Sequence, residues 1–199
     1  MLNINFFIAI IISYLFGSIS SAIIVAKIMR LPDPRTEGSK NPGATNLLRI
    51  GGKKAAIFTL LGDMLKGFIP VLAAKYMGFD AFSLSIIALS AFIGHLYPIF
   101  FGFQGGKGVA TALGVTLALS WPLGLTMMLT WVLVAILFRY SSLAALIMTL
   151  LVPFYAAYFL NIRCAGVVAV MSVFLIIRHR ENIKRLFNGT ETAIGGRPE

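Results

Sequence analysis

The stretch INFFIAIIISYLFGSISSAIIVAKI, residues 4–28, decides the fold, because Lys27 is the one charged side chain among its 25 residues. About 20 mainly apolar residues are enough to cross a bilayer as a helix. The stretch is too long for the apolar part of a signal peptide, no basic segment precedes it, and no small-residue cleavage site follows it. We therefore expect it to be a first membrane span.

The rest of the chain repeats this pattern. The whole chain of 199 residues is 58% hydrophobic and 12% charged, and its mean hydropathy is +0.89. Such values are far from those of soluble domains and predict a polytopic membrane protein. Apolar runs between charged or turn residues give the candidate spans 4–28, 55–75, 82–101, 108–119, 121–138, 143–160 and 164–177. We expect an all-α integral membrane protein, a seven-helix transmembrane bundle of short helices that forms one domain over residues 1–199.

The run 109–138 is the one whose span count is ambiguous. As a single helix it would be about 45 Å long, well above the thickness of the hydrocarbon layer. Ser120, Trp121 and Pro122 lie near its middle, and proline favours a break there. We predict two shorter helices, of which the first need not cross the membrane fully, with Trp121 at the outer interface.

Basic residues decide between six and seven crossings. With seven, nearly all lysines and arginines of the loops and tail share one side, and the other side keeps Lys75 and Arg163. With six, Arg139 and the basic tail from Arg178 move away from the first loop. The positive-inside rule favours seven, with the N-terminus outside and the loops and C-terminus in the cytoplasm.

The net charge of +10 is compatible with nucleic acid, anionic lipid or an anionic substrate. Because the basic residues stand in short loops between apolar runs, the membrane explanations are favoured over nucleic acid. Cys164 is the single cysteine, so no intrachain disulfide and no cysteine metal cluster can form, and its apolar neighbours predict a packing residue.

The segment GFQGGKGVAT, residues 102–111, predicts an anion-binding loop at the start of a membrane helix. Glycine lets backbone N–H groups approach an anion, a helix start adds a positive dipole end, and Lys107 adds a charge. The segment resembles a Walker A loop but lacks one residue between its glycines, and Gly108 stands where a hydroxyl residue would hold magnesium. We therefore expect a phosphate cradle without a metal.

The segment GSKNPGATNLLR, residues 38–49, is a second loop of small and amide residues with two basic side chains. Such a sequence can surround an anion with N–H groups, or it can be an ordinary loop rich in turn formers. The first interpretation gains weight because the other glycine-rich loop is predicted on the same side of the membrane.

The tail RHRENIKRL, residues 178–186, allows a catalytic and a structural interpretation. On a helix continuing from the last span, Arg178, His179 and Asn182 share a face. The histidine could act as a base and the asparagine could orient a substrate, or the segment could be a basic helix end that fixes topology. Glu181 is expected to pair with Arg178, Lys184 or Arg185.

Four further polar residues stand out. Asp63 and Lys66 lie three residues apart inside an apolar run and predict either an ion pair or a substrate contact. His95 is either a hydrogen-bonded core residue or a catalytic one. Ser142 is by default a helix N-cap, yet it is expected on the same side as both glycine-rich loops.

Four blocks together resemble the bacterial membrane acyl-phosphate:glycerol-3-phosphate acyltransferases. They are GSKNPGATNLLR at 38–49, DMLKG at 63–67, GHLYPIFFGFQGGKGVAT at 94–111 and RHRENIKRLFNGTE at 178–191. The resemblance implies a seven-helix inner-membrane enzyme that moves a fatty acyl group from acyl phosphate to the sn-1 hydroxyl of glycerol 3-phosphate, giving lysophosphatidic acid.

The resemblance also implies roles for individual residues. His179 and Asn182 would be catalytic, and Glu181 structural. Substrate-binding roles fall on Ser39, Asn41, Gly43, Thr45, Asn46, Arg49, Gly105, Gly106, Lys107, Gly108 and Ser142. No cofactor and no metal are expected, and contact with an enzyme that produces acyl phosphate is implied.

The residue inventory agrees with this chemistry. Acyl phosphate carries its own good leaving group, so orientation and charge stabilisation suffice, and no nucleophile motif is visible. The proton acceptor is either His179 or a phosphate of the substrate. The alternative function is a membrane transporter of a phosphorylated metabolite, which would place polar sites near the bilayer midplane and show an inverted repeat.

Overall fold

The computed structural model describes residues 4–195, and they contain helices and connecting loops but no strand. The chain divides into two compact units, Met1–Leu119 and Ser120–Glu199, here called unit 1 and unit 2. Five apolar segments are long enough to cross a membrane, and a bent pair of helices near the C-terminus can form a sixth. The prediction of an all-α integral membrane protein is confirmed.

Unit 1 begins with two helices where the sequence predicts one continuous span. Helix α1, Ile4–Gly17, and helix α2, Ser21–Ile28, form one apolar segment of 25 residues that is interrupted at residues 18–20. Ser18 turns back onto the carbonyl of Tyr14 through both its N–H and its hydroxyl, which satisfies that carbonyl at the end of α1.

Helix α3, Ala44–Tyr76, is the longest element and starts inside the segment predicted as a loop. It bends at Gly52, whose φ of 74° lies in the left-handed region, so the membrane-crossing part follows this point, as the predicted span 55–75 does. Helix α4, Ala81–Leu96, starts at Asp80, whose carboxylate accepts from the N–H groups of Phe82 and Ser83.

A short 3₁₀ turn, Ile99–Phe101, follows α4 and leads into the glycine-rich segment. Helix α5, Val109–Leu119, has only 11 residues, which agrees with the prediction of a helix too short to cross fully. Within unit 1, α3 packs against α1, α2, α4 and α5, and α1 and α5 each also pack against α4. The glycine-rich segment thus leads into a helix that packs against α3 and α4.

The described residues of unit 2, 120–195, form four helices. They are α6, Trp121–Phe138; α7, Ser141–Phe159; α8, Ile162–Arg178; and α9, Arg180–Phe187. The break predicted at Pro122 is confirmed, because Ser120 precedes α6 and the proline occupies its first turn, where its missing N–H costs nothing. Cys164 is fully buried, as expected of a packing residue, and Trp121 is 69% exposed.

Candidate functional site

Asn46 gives the first loop its shape. Its side chain is 1% exposed; Nδ2 donates to the carbonyls of Pro34 and Glu37 at 2.9 and 3.0 Å, and Oδ1 accepts from the N–H of Ser39 at 2.8 Å. Both amide hydrogens are therefore used in folding residues 34–39 over the start of α3. The structure gives Asn46 an organising role, and a direct contact to phosphate stays a prediction.

The other predicted residues of this loop differ in accessibility. Ser39, Thr45 and Arg49 are exposed, whereas Asn41 and Gly43 are half-buried. Thr45, Asn46 and Arg49 lie in the first turns of α3 and not in a loop, because the helix begins at Ala44. Arg49 is thus carried on a rigid element close to a helix N-terminus, where anions are favoured.

In the segment Gly105–Gly108, here called the glycine loop, the three glycines are packed so closely that a side chain at any of them would collide with a neighbouring residue. A Cβ on Gly105 would collide with the carbonyls of His95 and Leu96, and one on Gly106 would collide with the His95 ring. Gly108 has a φ of 93° and is followed directly by α5. These contacts agree with a loop whose backbone must approach its neighbours and present N–H groups at a helix start.

The structure brings the two glycine-rich segments of unit 1 together. The position of a Cβ on Gly106 is 3.0 Å from the carbonyl oxygen of Pro42, in the middle of the first loop. Lys107, the next residue, is half-buried. The segments predicted to handle phosphate therefore meet at one place, although they are more than 50 residues apart in the chain.

Asp63 and Lys66 form the ion pair that the sequence predicts as one of two alternatives. Lys66 Nζ lies 2.9 Å from Asp63 Oδ1, and both side chains are buried. His95 is also buried, with Nδ1 3.7 Å from the same carboxylate oxygen. The spacing of the pair along α3 was readable from the sequence, but the approach of His95 from α4 was not.

Glu191 is a residue that sequence reasoning missed. Its Oε1 accepts from Ser142 Oγ at 2.6 Å and from Asn182 Nδ2 at 2.7 Å, and its Oε2 accepts from Arg185 Nε at 2.6 Å. The expectation that Ser142 caps a helix was wrong: Tyr140 is the capping position, and Ser142 lies inside α7. The available signal was an isolated carboxylate shortly after a basic helix.

The sequence predicts that the helix of the last span continues through His179, but in the structure this helix ends at Arg178. The chain bends by 58° between α8 and α9, and His179 is the residue between them, so a single helical face through Arg178, His179 and Asn182 was wrong. The side chain is 3% exposed, and Nδ1 lies 2.8 Å from the carbonyl oxygen of Leu175. A carbonyl can only accept, so Nδ1 carries a proton and, in neutral histidine, Nε2 carries the lone pair.

Glu181 is an exposed surface residue. It pairs with Arg180 at 3.5 Å and with Lys184 at 3.6 Å, so the expected pairing with Lys184 is confirmed, while Arg185 pairs with Glu191 instead. Exposed pairs of this kind contribute little to stability. The structural glutamate of this segment is Glu191.

Acid is expected to destabilise unit 2 through Glu191. Burial opposes its ionisation, but hydrogen bonds from Ser142, Asn182 and Arg185 outweigh burial and hold the pKa of the carboxyl below its usual value. A pKa that is lower in the folded state stabilises the protein above the ordinary glutamate pKa of about 4.3, and this contribution is lost as the pH falls below it.

Melting temperatures measured between neutral and acidic pH test this. Glu191→Gln should show a smaller loss in acid than the unchanged protein, and the exposed Glu181→Gln should behave like the unchanged protein. Identical acid profiles for all three proteins would contradict the prediction.

In the described part of the chain, no group of three or more histidine, cysteine, aspartate or glutamate side chains is placed to hold a metal ion. The predicted site residues of unit 1 offer donors, namely backbone N–H groups, Lys107 and Arg49, and within unit 2 Asn182 and Ser142 donate to Glu191. Donors of the kind found in unit 1 can bind phosphate and stabilise negative charge that develops during a reaction.

Comparison with known proteins agrees over almost the whole chain. Residues 7–189 match the glycerol-3-phosphate acyltransferase family. A glycerol-3-phosphate acyltransferase of Vibrio vulnificus is 55% identical over 93% of this chain and 91% of its own, and one of Vibrio cholerae is 52% identical over 94% and 89%.

Solved structures also match. The crystal structure of PlsY (YgiH), an integral membrane glycerol 3-phosphate acyltransferase, in its glycerol 3-phosphate form has a TM-score of 0.89 and 40% identity, covering 95% of both chains. Its lysophosphatidic acid form has a TM-score of 0.87 and 39% identity, with the same coverage. Sequence and fold together show that this chain belongs to the glycerol-3-phosphate acyltransferase family.

Proposed function

We propose that this chain transfers a fatty acyl group from acyl phosphate to the sn-1 hydroxyl of glycerol 3-phosphate. The family supplies the acceptor, and the relatives solved with glycerol 3-phosphate and with lysophosphatidic acid support that acceptor and that product. The observation that carries the donor is the glycine loop, which lies against the first loop at Pro42 and ends at the start of α5. This arrangement suits a substrate that carries a phosphate at its reacting end.

The reaction needs no covalent enzyme intermediate and no metal. The hydroxyl oxygen of glycerol 3-phosphate attacks the acyl carbon, a new ester bond forms, and the bond from that carbon to the phosphate oxygen breaks. Inorganic phosphate leaves with the electron pair, and the hydroxyl proton goes to a base. Direct transfer with both substrates bound therefore balances with lysophosphatidic acid and phosphate as products.

Each group of residues has a defined part in this proposal. Gly105–Gly108 with Lys107 bind the phosphate of the donor, whose charge increases as it leaves. The first loop, with Arg49 at the start of α3, handles phosphate through charge and N–H groups. His179 and Asn182 act on the attacking hydroxyl, with His179 Nε2 as the base unless a substrate phosphate takes that proton.

The direct test is an assay with purified protein. Acyl phosphate and glycerol 3-phosphate should give lysophosphatidic acid and inorganic phosphate in equal amounts, with and without a chelator. Acyl thioesters in place of acyl phosphate serve as the control donor. Activity with the thioester alone, or activity abolished by the chelator and restored by a metal, would overturn the proposal.

Lys107→Ala is expected to weaken the use of acyl phosphate while the protein stays folded. Losing a charge-assisted hydrogen bond costs about 1.5–3 kcal/mol, which corresponds to a rise in KM for acyl phosphate of about tenfold or more. Lys53→Ala, an exposed lysine after the bend of α3, is the matched control and should keep the KM of the unchanged protein. Equal KM values for both variants would contradict a phosphate contact at Lys107.

The distribution of basic residues supports an inner-membrane location with the N-terminus outside and the loops, Ser142 and the C-terminus in the cytoplasm. Thiol labelling tests this orientation, because Cys164 is the one cysteine and can be replaced by serine. In that background Trp121→Cys should react with an impermeant reagent from outside, and Lys184→Cys should react from the cytoplasmic side. Labelling of position 121 from the cytoplasmic side alone would contradict the topology.

Because the chain belongs to an acyltransferase family, acyl transfer is favoured over the alternative function, transport of a phosphorylated metabolite. The acyl donor is a reactive mixed anhydride, and the lipid bilayer is the medium that holds its chain. We therefore also propose contact with an enzyme that produces acyl phosphate, and that the whole chain works as one acyltransferase domain.

A further inference from the structure

Two opposite charges lie inside α3, away from water. Asp63 and Lys66 are 3% and 6% exposed, and 2.9 Å separates their charged atoms. Lys66 Nζ also donates to the carbonyl of Ile19 at 2.6 Å, in the break between α1 and α2. A buried ion pair recovers only part of the cost of removing two charges from water, and apolar residues of similar size are often as stable. Helix packing alone therefore does not account for this pair.

His95 connects the ion pair to the glycine loop. Its Nδ1 is 3.7 Å from Asp63 Oδ1, and the opposite edge of the ring faces Gly106, where an added Cβ would collide with Nε2. The backbone carbonyl of His95 lies where a Cβ on Gly105 would be. The ring and backbone of one residue thus contact two consecutive glycines, and the carboxylate of Asp63 restricts where that ring can lie.

The helix that follows the glycine loop is bonded to the same aspartate. Thr111, in the first turn of α5, donates its hydroxyl to the backbone carbonyl of Asp63 at 2.9 Å. Glycines bring the two helices close here: a Cβ on Gly67 would lie 2.7 Å from the Thr111 carbonyl, and one on Gly114 would collide with the carbonyl of Met64. Asp63 therefore lies next to His95 through its side chain, and its backbone carbonyl accepts a hydrogen bond from Thr111 in the helix that follows the loop.

We propose that Asp63 and His95 are positioning residues that fix the backbone of the glycine loop for the phosphate of the acyl donor, with Lys66 balancing the buried charge. The proposal rests on the proposed function of that loop. A set of N–H groups stabilises an anion only when the groups point at the same place before the anion arrives. Glycine backbone is by itself free to adopt many conformations, so the order must come from the residues packed against it.

The test is a set of kinetic measurements on His95→Gln, Asp63→Asn and the double variant of the full chain in detergent. Each single change should raise the KM for acyl phosphate about tenfold, while kcat and the KM for glycerol 3-phosphate stay close to those of the unchanged protein. His95→Gln should also keep the melting temperature, whereas Asp63→Asn leaves the buried Lys66 without its partner charge and should lower it. The double variant should be no worse than the more affected single variant, because both act through one contact. Ser85→Ala is the control and should change none of these quantities, because Ser85 is a buried serine on α4 whose hydroxyl donates to Ala81 of the same helix.

A second measurement uses the collision between Gly106 and the His95 ring. Gly106→Ala should raise the KM for acyl phosphate, and adding His95→Ala should recover part of that loss, because the added methyl then has space. The Pro42 carbonyl, 3.0 Å from the same point, limits the recovery. Simple addition of the two effects would overturn the proposal.

The outcomes separate this proposal from the function on which it rests. The positioning proposal would be overturned if both His95→Gln and Asp63→Asn changed kcat, both KM values and the melting temperature in parallel. It would also be overturned if neither variant folded, because the ion pair would then have a purely structural role. If the unchanged protein uses a donor other than acyl phosphate, the proposed donor fails. The KM of the same variants for that other donor then decides whether the cluster positions the loop.

Discussion

His179→Ala is expected to lower kcat by about a hundred- to ten-thousandfold, the usual contribution of a positioned general base. The structure gives the physical reason. Because Nδ1 donates to the Leu175 carbonyl, the neutral ring presents its lone pair at Nε2, the form that can accept a proton. Asn182→Ala should also lower kcat strongly, since Asn182 is buried in the first turn of α9 and is oriented by its bond to Glu191.

The control for both changes is Asn188→Ala, because Asn188 is an exposed residue just after α9. It should leave kcat unchanged, and a chelator should leave all four proteins unchanged. A loss at His179 of less than about a hundredfold would assign the base to the substrate's own phosphate. An acylated protein, trapped with acyl phosphate alone and able to pass its acyl group on, would overturn direct transfer.

Gly106→Leu is expected to be the most damaging change in the glycine loop. Its first side-chain carbon would collide with the His95 ring and press on the Pro42 carbonyl, so the loop backbone must move away from the position in which it can bind phosphate. Losing anion contacts worth about 3 kcal/mol lowers donor affinity by about a hundredfold, more than the loss expected for Lys107→Ala.

Kinetics with acyl phosphate and a melting curve check this result. Gly166→Leu is the matched control, because Gly166 lies on α8 with open space around its Cβ position and should tolerate the change. Unchanged donor KM in Gly106→Leu would refute the phosphate cradle. A lower melting temperature with an unchanged KM would leave the glycines a packing role only.

The segments of this chain that are fixed by local physical chemistry could be read from the sequence. The first 25-residue run is apolar enough to enter the bilayer, and its backbone is helical because no water is available there to accept or donate hydrogen bonds. The break before Pro122 follows from the N–H group that proline lacks. The Asp63–Lys66 pair follows from helical spacing. The four blocks that identify the family are also contiguous sequence.

The same local reasoning failed where a residue's partner is distant in the chain. Serine is a residue type that favours helix N-caps, but the hydroxyl of Ser142 bonds to Glu191, which lies 49 residues later. A straight continuation through His179 is favoured locally, yet the chain bends there and buries the histidine. Neither outcome has a periodic signal, because a single hydrogen bond between distant residues leaves no pattern along the sequence.

The sequence by itself determined a membrane-spanning, all-helical acyltransferase family member with two glycine-rich basic segments. Only the tertiary structure decided that Gly106 lies between His95 and the first loop, and that Asp63 lies next to His95 and accepts from Thr111. It also decided that Glu191 accepts from Ser142, Asn182 and Arg185. The physical reason is that spans depend on the transfer of consecutive residues into lipid. Contacts of a site depend instead on which buried polar groups find partners when separate helices pack.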